Sequence, residues 1–277
     1  MLIDHKLSNL SKIVNCDLIG NDAFFEKVST DTRSMAEGDI FLALKGPNHN
    51  GHDFINKALD KGASCLITEK EIPGETYIKT ENTFLFLEEL AKFQRLNFKQ
   101  DVIAITGSNG KTTTKELIRE VLASKYNVLA TQGNLNNHIG APLSLARLNG
   151  SSRFAVFELG MNNTGEIAFL SNLIRPKVAL ITNVHGVHLE QLKTERAIAE
   201  AKAEIFNGLS ENGSVVLNQD NPWIDFLKSR AEKKGIKNII TFGEDKKSDL
   251  QLLEWQPGEG KSFVKIQLKN ETHQYVL

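Results

Sequence analysis

The residues best suited to chemistry in this sequence form a glycine turn that carries a lysine and threonines. The run Val102 to Ile105 is apolar and mostly β-branched, which predicts a short buried strand. Gly107 and Gly110 then permit a tight bend, and Lys111 opens a predicted helix whose first N–H groups have no partner within the helix. A strand, a glycine turn and a helix N-terminus together make a binding site for anions such as phosphates.

The turn departs from the strict Walker A motif, because only two residues separate its glycines. A strand-to-helix turn that needs glycine and happens to carry a lysine is the alternative. The Gly-Lys-Thr-Thr run directly after an apolar strand favours a nucleoside triphosphate site, where Lys111 would neutralise the terminal phosphates and Thr112 would bind the accompanying Mg²⁺. The residues assigned to nucleotide binding here are Thr106, Gly107, Ser108, Asn109, Gly110, Lys111, Thr112 and Thr113.

Composition restricts the class of protein. A length of 277 residues suggests about two domains, and a net charge of −1 gives no electrostatic footprint for nucleic acid or an anionic membrane. Cys16 and Cys65 are far apart in the sequence, which favours reduced thiols. The N-terminus is polar too early for a signal peptide, and no apolar run reaches the roughly 18 residues of a membrane helix. We therefore expect a cytoplasmic monomer with no membrane span and no nucleic-acid partner.

The sequence predicts an α/β protein of two domains, 1–98 and 99–277. The first has a predicted strand at 39–45, a helix at 52–61, a strand at 65–68 and a helix at 84–98. The second alternates strands and helices, which predicts a P-loop NTPase-like, mainly parallel sheet with helices on both faces. Its predicted strands are 102–106, 128–131, 154–158, 178–182, 215–218 and 239–242, and its predicted helices are 111–124, 139–148, 165–174, 194–208 and 222–234. Residues 250–277, with a turn at 257–260, predict an antiparallel β-hairpin.

Polar residues follow two predicted strands at the edge where parallel sheets place their chemistry. Glu158 ends an apolar strand and is placed to hold Mg²⁺ directly or through water, although it could merely cap a turn. His185 and His188 follow the next strand but lack further ligands at zinc spacing. His188 fits contact with a second magnesium or a substrate oxygen better, with a structural histidine as the alternative.

Three further positions remain open by spacing alone. Lys202 lies beside the buried stripe of its helix, and a solvated lysine is the favoured interpretation. The amide-rich loop 131–140, which contains Asn137, suits contacts with phosphates and polar substrate groups. Asn218, at the end of another predicted strand, suits contact with the base or ribose of a nucleotide.

Two polar stretches of the first domain are ambiguous. The first places Ser29, Thr30, Asp31 and Arg33 together, and the second, residues 45–52, is a glycine-containing loop after a strand end, where α/β proteins place ligands. Solvated turns explain both stretches equally well on composition.

Several stretches, in order from about residue 28 to 222, together resemble the Mur ligase family. They are Ser-Thr-Asp-Thr-Arg (29–33), Gly-Asp-Ile-Phe-Leu-Ala-Leu-Lys-Gly (38–46), Gly-His-Asp-Phe-Ile (51–55), Thr-Gly-Ser-Asn-Gly-Lys-Thr-Thr-Thr-Lys-Glu (106–116), Gly-Asn-Leu-Asn-Asn (133–137), Glu-Leu-Gly-Met-Asn (158–162), Thr-Asn-Val (182–184), His-Leu-Glu (188–190) and Ala-Lys-Ala-Glu-Ile-Phe (201–206). They are most similar to the branch that adds D-alanyl-D-alanine to UDP-N-acetylmuramoyl-tripeptide in peptidoglycan synthesis.

The resemblance implies an ATP- and Mg²⁺-dependent amide ligase that works through an acyl phosphate. The positions that it implies as catalytic are Lys111, Glu158, His188 and Lys202. Thr112 and Glu158 match the first magnesium and His188 the second, while Lys202 matches a lysine that is carbamylated in several members and then binds magnesium. The positions that it implies for the UDP substrate, all in domain 1–98, are Ser29, Thr30, Asp31, Arg33, Gly46 and His52.

The sequence also departs from the family. Asn50 stands where aspartate is usual, His138 where glutamate is common, and Gln191-Leu192 where Phe-Gly is frequent, which bears on substrate contacts and not on the reaction. The resemblance implies a further C-terminal domain that we expect to be absent from this chain, so the polypeptide alone is expected to bind ligands weakly and to turn over little or nothing. The alternatives are a sister ligase that adds the third residue, a folylpolyglutamate synthase, or a nucleotide-binding module without ligase activity.

Overall fold

The computed structural model describes residues 5–46, 49–186 and 192–276. The chain forms two compact units, which are described separately. The first comprises residues 1–99 with 139–152, and the second comprises residues 100–138 with 153–277.

The first unit is built on a five-stranded sheet of order β1-β5-β4-β3-β2, in which only β1 runs antiparallel to its neighbour. Its elements up to residue 99 are α1 (Leu7–Ile13), β1 (Asp17–Ile19), β2 (Val28–Ser29), β3 (Ile40–Leu42), α2 (Ile55–Asp60), β4 (Cys65–Thr68), β5 (Tyr77–Lys79) and α3 (Thr83–Asn97). Strand β4 and helix α3 match their predicted positions closely. The short strands β1, β2 and β5 were not predicted, because two or three residues are too few to show a period.

The predicted helix at 52–61 begins instead as a 3₁₀ turn, Gly51–Phe54, before α2. The side chain of Asn50 accepts a hydrogen bond from the His52 N–H and so caps this turn. The core of the first unit lies around Phe41, Leu66 and Tyr77, where β3, β4 and β5 pack against α2.

The second unit is built on a nine-stranded sheet of order β14-β13-β12-β11-β10-β9-β6-β8-β7. The pairs from β7 to β12 are parallel, and β12, β13 and β14 form an antiparallel meander. The elements from residue 100 onward are β6 (Asp101–Thr106), α4 (Lys111–Ala123), β7 (Val128–Ala130), α5 (Gly140–Ala146), β8 (Phe154–Glu158), α6 (Glu166–Ile174), β9 (Val178–Ile181), α7 (Glu195–Ala203), β10 (Ser214–Asn218), α8 (Ile224–Lys233), β11 (Asn238–Gly243), β12 (Leu250–Gly258), β13 (Lys261–Leu268) and β14 (Glu271–Val276). The predicted α/β class, mainly parallel sheet and terminal hairpin are confirmed, and the hairpin gains a third strand.

Strand β6 lies within the parallel part of this sheet, between β8 and β9. Ile105 pairs with Glu158 and Thr106 with Ile181. This register brings the glycine turn after β6 to the same edge of the sheet as Glu158. Residues 182–186, the segment after β9, lie at this edge as well. The buried Val102, Ala104 and Ile105 fit a strand covered on both faces.

Helix α5 belongs to the first unit, whereas the sequence predicts residues 139–148 as part of the second domain. Every residue of α5 is buried, and the Gln94 side chain of α3 donates to the Ala146 carbonyl at 3.1 Å. Periodicity reveals such a helix but not the partner against which it packs. Among the described residues, none of the helices combines the length and apolar character needed to cross a bilayer.

Candidate nucleotide-binding site

The glycine turn between β6 and α4 has two glycines with positive φ. Gly107 has φ +154°, and a Cβ there would lie 1.8 Å from the Thr182 Oγ1. Gly110, the N-cap of α4, has φ +77°, and a Cβ there would have no other atom within 4 Å. Both glycines are therefore required by backbone conformation, and Gly107 also by the close approach of the segment after β9.

Gly107→Ala is expected to lower the free energy of unfolding by about 3 kcal/mol, because it combines an unfavourable φ with a clash. The Thr182 hydroxyl cannot withdraw freely, since it donates to the Asn109 carbonyl at 2.6 Å. Gly110→Ala is the matched control and should cost about 1 to 2 kcal/mol, the strain of a left-handed residue alone. Urea denaturation of the two variants tests the difference, and equal losses would contradict the close packing at Gly107.

Two backbone N–H groups of the loop, which the sequence predicts to face a phosphate, donate hydrogen bonds within the protein instead. The N–H of Ser108 donates to the Asn183 carbonyl at 3.0 Å, and that of Asn109 to the Asn183 Oδ1 at 2.9 Å. The Ser108 hydroxyl donates to the His185 carbonyl and accepts from the His185 N–H. These bonds hold the loop against the segment after β9. In the described structure no side chain caps α4, so the amides of its first turn remain the donors for an anion.

Lys111 is half-buried at the start of α4 and folds back over the loop. Its ammonium group donates to the Gly107 carbonyl at 2.8 Å. Burial lowers the pKa of Lys111, and the negative charge of Glu158 acts in the opposite direction. The Lys111 amine and the Glu158 carboxylate therefore interact electrostatically at the first turn of the helix.

Glu158, 2 % exposed, ends β8 with both carboxylate oxygens bonded. The Thr112 hydroxyl donates to Oε2 at 2.8 Å, and the Asn136 side-chain amide donates to Oε1 at 2.9 Å. A carboxylate beside a hydroxyl offers the hard oxygen ligands that Mg²⁺ prefers, so the residues present fit a magnesium ion. Sequence reasoning identified Thr112 and Glu158 as a pair but missed Asn136, one residue before the predicted Asn137.

Lys202 is buried, so the interpretation from spacing, which favoured a solvated lysine, is wrong. It is 1 % exposed, because α7 buries a wide arc that also includes Ile198, one turn earlier, and Ala199. Burial, followed by the positive charge of Lys111, lowers the pKa of Lys202 to about 7. A buried lysine with this pKa is partly neutral near pH 7.

The other predicted residues of this site differ in what their side chains can offer. The Thr106 hydroxyl is buried and donates to the Leu159 carbonyl at 3.0 Å, so it is already engaged. The Asn218 side chain donates to the Thr182 carbonyl at 3.2 Å, which places it beside the segment after β9. Thr113 and Asn137 are exposed. His188 lies outside the described residues.

The polar stretch 29–33 of the first unit is an ordered turn. The Arg33 guanidinium donates to both Asp31 carboxylate oxygens, with Nη2 at 2.7 Å from Oδ2, and lowers the pKa of Asp31 to about 2. The Ser29 hydroxyl donates to the Asp31 carbonyl at 3.2 Å, and Ser29 is buried while Thr30 is partly exposed. The exposed Arg33 is already paired with the Asp31 carboxylate, and this ion pair fixes the orientation of its guanidinium group.

His52 lies at the base of the glycine-containing loop of the first unit. Its Nε2 accepts from the Glu69 N–H at 3.1 Å, which makes Nδ1 the protonated nitrogen that donates to the Asn50 Oδ1 at 2.9 Å. Asn50 therefore supplies the acceptor that holds His52 in this tautomer. Gly46, whose N–H donates to the His49 carbonyl at 2.8 Å, lies across the same loop.

Protonation of His52 is expected to destabilise the first unit. Burial lowers the pKa of His52, and protonation would also remove the acceptor for the Glu69 N–H. The unfolded chain binds this proton at its ordinary pKa of about 6.5, so stability is full above that pH and falls as the pH drops toward the lower folded pKa.

The measurement is the free energy of unfolding between pH 5 and pH 8, compared with a His52→Gln variant. In the variant, the free energy of unfolding should no longer show the fall that begins as the pH drops below about 6.5. The pKa of Glu69 is also lowered, chiefly by the Thr83 N–H. The stability that Glu69 contributes is lost only below about pH 4.5, so it does not affect the range near pH 6.5. Identical profiles for the two proteins would contradict the buried, neutral His52.

Two family descriptions match the chain. The Mur ligase middle domain matches residues 105–276, and the Mur ligase catalytic domain matches residues 25–95. The first match alone spans more than half of the chain and includes every residue of the glycine turn from Thr106 to Thr113.

Individual relatives agree with these matches. The UDP-N-acetylmuramoyl-tripeptide–D-alanyl-D-alanine ligase of Escherichia coli (strain K12) is 40% identical over 235 residues, which are 84% of this chain and 52% of the relative. A crystal structure of MurF from Acinetobacter baumannii superimposes with a TM-score of 0.85 at 29% identity, covering 97% of this chain and 59% of that one. A crystal structure of MurF from Thermotoga maritima in complex with ADP gives 0.78 at 32% identity, covering 91% and 58%.

The chain spans about half the length of the curated relatives that it matches. Within that span, the matched ranges include the glycine turn, the Glu158 strand end and the buried Lys202. The chain therefore belongs to the Mur ligase family.

Proposed function

We propose that this chain supplies the nucleotide-binding and UDP-substrate-binding parts of a cytoplasmic, ATP-dependent amide ligase. The ligase would join D-alanyl-D-alanine to UDP-N-acetylmuramoyl-tripeptide through an acyl phosphate, a step of peptidoglycan precursor synthesis. The observation that carries the proposal is the 2.8 Å hydrogen bond between the Thr112 hydroxyl and Glu158, beside the Lys111 amine. The name of the matched Escherichia coli relative supports the choice of substrates.

The chain's own residues have distinct tasks in this proposal. The first-turn amides of α4 and the Lys111 amine would bind the terminal phosphates, and Thr112 with Glu158 would hold magnesium. When bound, magnesium supplies neutralisation of the charge on the transferred phosphoryl group. Asn136 keeps the Glu158 carboxylate oriented by its bond to Oε1.

Lys202 fits the role of a modified lysine. Its neutral fraction near pH 7 has a free electron pair that can attack carbon dioxide, forming an N–C bond and releasing one proton. The product, a carbamate, carries a negative charge that a buried site beside magnesium and the Lys111 ammonium would stabilise. His188 would contact the second magnesium in this proposal.

The remaining assignments are also part of the proposal. The nucleotide contacts are Thr106, Gly107, Ser108, Asn109, Gly110, Lys111, Thr112, Thr113, Asn137 and Asn218. The contacts with the UDP substrate are Ser29, Thr30, Asp31, Arg33, Gly46 and His52. Thr106, Ser108 and Asn109 would take part by shaping the loop around the phosphates, since the Thr106 and Ser108 hydroxyls and the Ser108 and Asn109 N–H groups are bonded within the protein.

The test measures release of inorganic phosphate from ATP by a polypeptide that carries this sequence at the relatives' full length. UDP-N-acetylmuramoyl-tripeptide and D-alanyl-D-alanine are added singly and together. The ligase predicts release that requires both. Release that does not depend on the dipeptide would favour a nucleotide-binding module without ligase activity, and release that requires a single amino acid would favour a sister ligase.

A further inference from the structure

Helix α4 buries a lysine on a face where an apolar residue would be expected. Lys115 is 0 % exposed and is the buried residue of the helix, whereas Leu117 and Val121 are 62 % and 72 % exposed. A buried ammonium group is costly unless its hydrogens find partners. The contacts of Lys115 therefore identify what this burial achieves.

The Lys115 ammonium group joins the helix to the end of β7. It donates to the Thr131 carbonyl at 2.7 Å and lies 2.9 Å from the Glu116 carboxylate. Glu116 is also paired with Arg119, at 2.7 Å, on the exposed side of the helix. Of these contacts, only the hydrogen bond to Thr131 connects α4 to another part of the chain.

Thr131 is in turn bonded to β8, the strand that ends in Glu158. Its N–H donates to the Val156 carbonyl at 3.0 Å, and its hydroxyl accepts from the Glu158 N–H at 3.1 Å. It also begins the loop that leads to Asn136, whose amide holds the Glu158 carboxylate. Thr131 is thus the residue through which α4, β7 and β8 meet.

Thr112 and Lys115 are one helical turn apart and share a face of α4. Thr112 reaches the side chain of Glu158, while Lys115 reaches its backbone through Thr131. The helix is therefore fixed to the strand end at two points. We propose that Lys115 is a positioning residue, which holds α4 against the end of β7 so that the Thr112 hydroxyl and the Glu158 carboxylate keep the spacing that a divalent cation requires.

This inference rests on the proposed binding of a magnesium nucleotide. Its test measures the affinity of the chain for ADP by calorimetry, with and without Mg²⁺, and takes the ratio of the two dissociation constants as the magnesium enhancement. A merely structural Lys115 would change the unfolding midpoint and leave this ratio unchanged in the folded protein. Lys115→Met should lower the enhancement at least about tenfold while ADP affinity without Mg²⁺ changes less than about threefold.

Arg119→Met is the matched control, because it removes a positive charge and a Glu116 contact from the same helix without touching Thr131. It should leave the enhancement within about twofold of the unmodified chain. Thr131→Val tests the same connection from the other side, since it removes the acceptor of the Glu158 N–H and keeps the carbonyl that Lys115 reaches. It should also lower the enhancement, and it decides the matter if Lys115→Met does not fold.

An unchanged enhancement in Lys115→Met, or in Thr131→Val where the first variant does not fold, would overturn the positioning role alone. An enhancement lowered equally by Arg119→Met would overturn it as well, because helix charge would then be the cause. An unmodified chain whose ADP binding does not respond to Mg²⁺ would overturn the proposed function and this inference with it.

Discussion

Replacing Lys111 with alanine is expected to reduce ATP-dependent ligation by about a hundredfold to a thousandfold. The amine lies over the glycine loop, where it would neutralise phosphate charge in the transition state, and loss of one such preorganised donor costs about 3 to 4 kcal/mol. The measurement is phosphate release with both substrates present, in a polypeptide of the relatives' full length. In the 277-residue chain, the same variant should weaken Mg·ADP binding by about ten- to hundredfold.

Lys125→Ala is the control for this change, since Lys125 is exposed just beyond the far end of α4. It should leave both binding and turnover within about twofold. Lys111→Arg keeps the charge but presents a broad planar group in place of a compact one, so it should recover binding better than turnover. Full activity in Lys111→Ala would contradict the assignment of the glycine turn to phosphate.

Replacing Glu158 with glutamine is expected to abolish the response to magnesium. The change removes the charged metal ligand and presents an amide N–H₂ to one of two donors, Thr112 or Asn136, each of which now bonds a carboxylate oxygen. Magnesium-dependent turnover should fall at least about a thousandfold, because the metal contributes several kcal/mol of charge stabilisation. ADP affinity in the absence of Mg²⁺ should change little.

The control is Glu232→Gln, which removes an exposed carboxylate on α8. Because Glu158 is buried with two donors, its replacement should also lower the free energy of unfolding by about 1 to 3 kcal/mol. The two effects are separated by measuring binding well below the unfolding midpoint. A Glu158→Gln protein with normal magnesium dependence would show that another residue holds the metal.

The parts of the fold that follow from local signals could be predicted from the sequence. The β8 strand was predicted at its observed bounds, because an apolar run ends in a single acid and a glycine follows two residues later. The start of α4 at Lys111 follows from the preceding glycine. Strands β1, β2 and β5 carry too few residues for a period, so their pairing becomes visible only in the sheet.

The parts of the site that depend on crossover connections could not be predicted. Lys202 and Lys115 look like surface lysines in sequence, since burial of an amine depends on partners that are distant along the chain. For Lys115 the partner is Thr131, and for the Glu158 carboxylate a second donor is Asn136, 22 residues earlier. The engagement of the Ser108 and Asn109 amides by Asn183 likewise requires knowing that β9 lies beside β6.

The most direct test of the central claim is the position of a metal in crystals of this chain grown with ADP and Mn²⁺ in place of Mg²⁺. The anomalous signal of manganese should give one peak next to the Thr112 hydroxyl, at about 2.0 to 2.3 Å, with Glu158 bound directly or through one water. The phosphates should lie against the first turn of α4 and the Lys111 amine. A manganese peak and nucleotide located away from Thr112 and Glu158 would contradict the account.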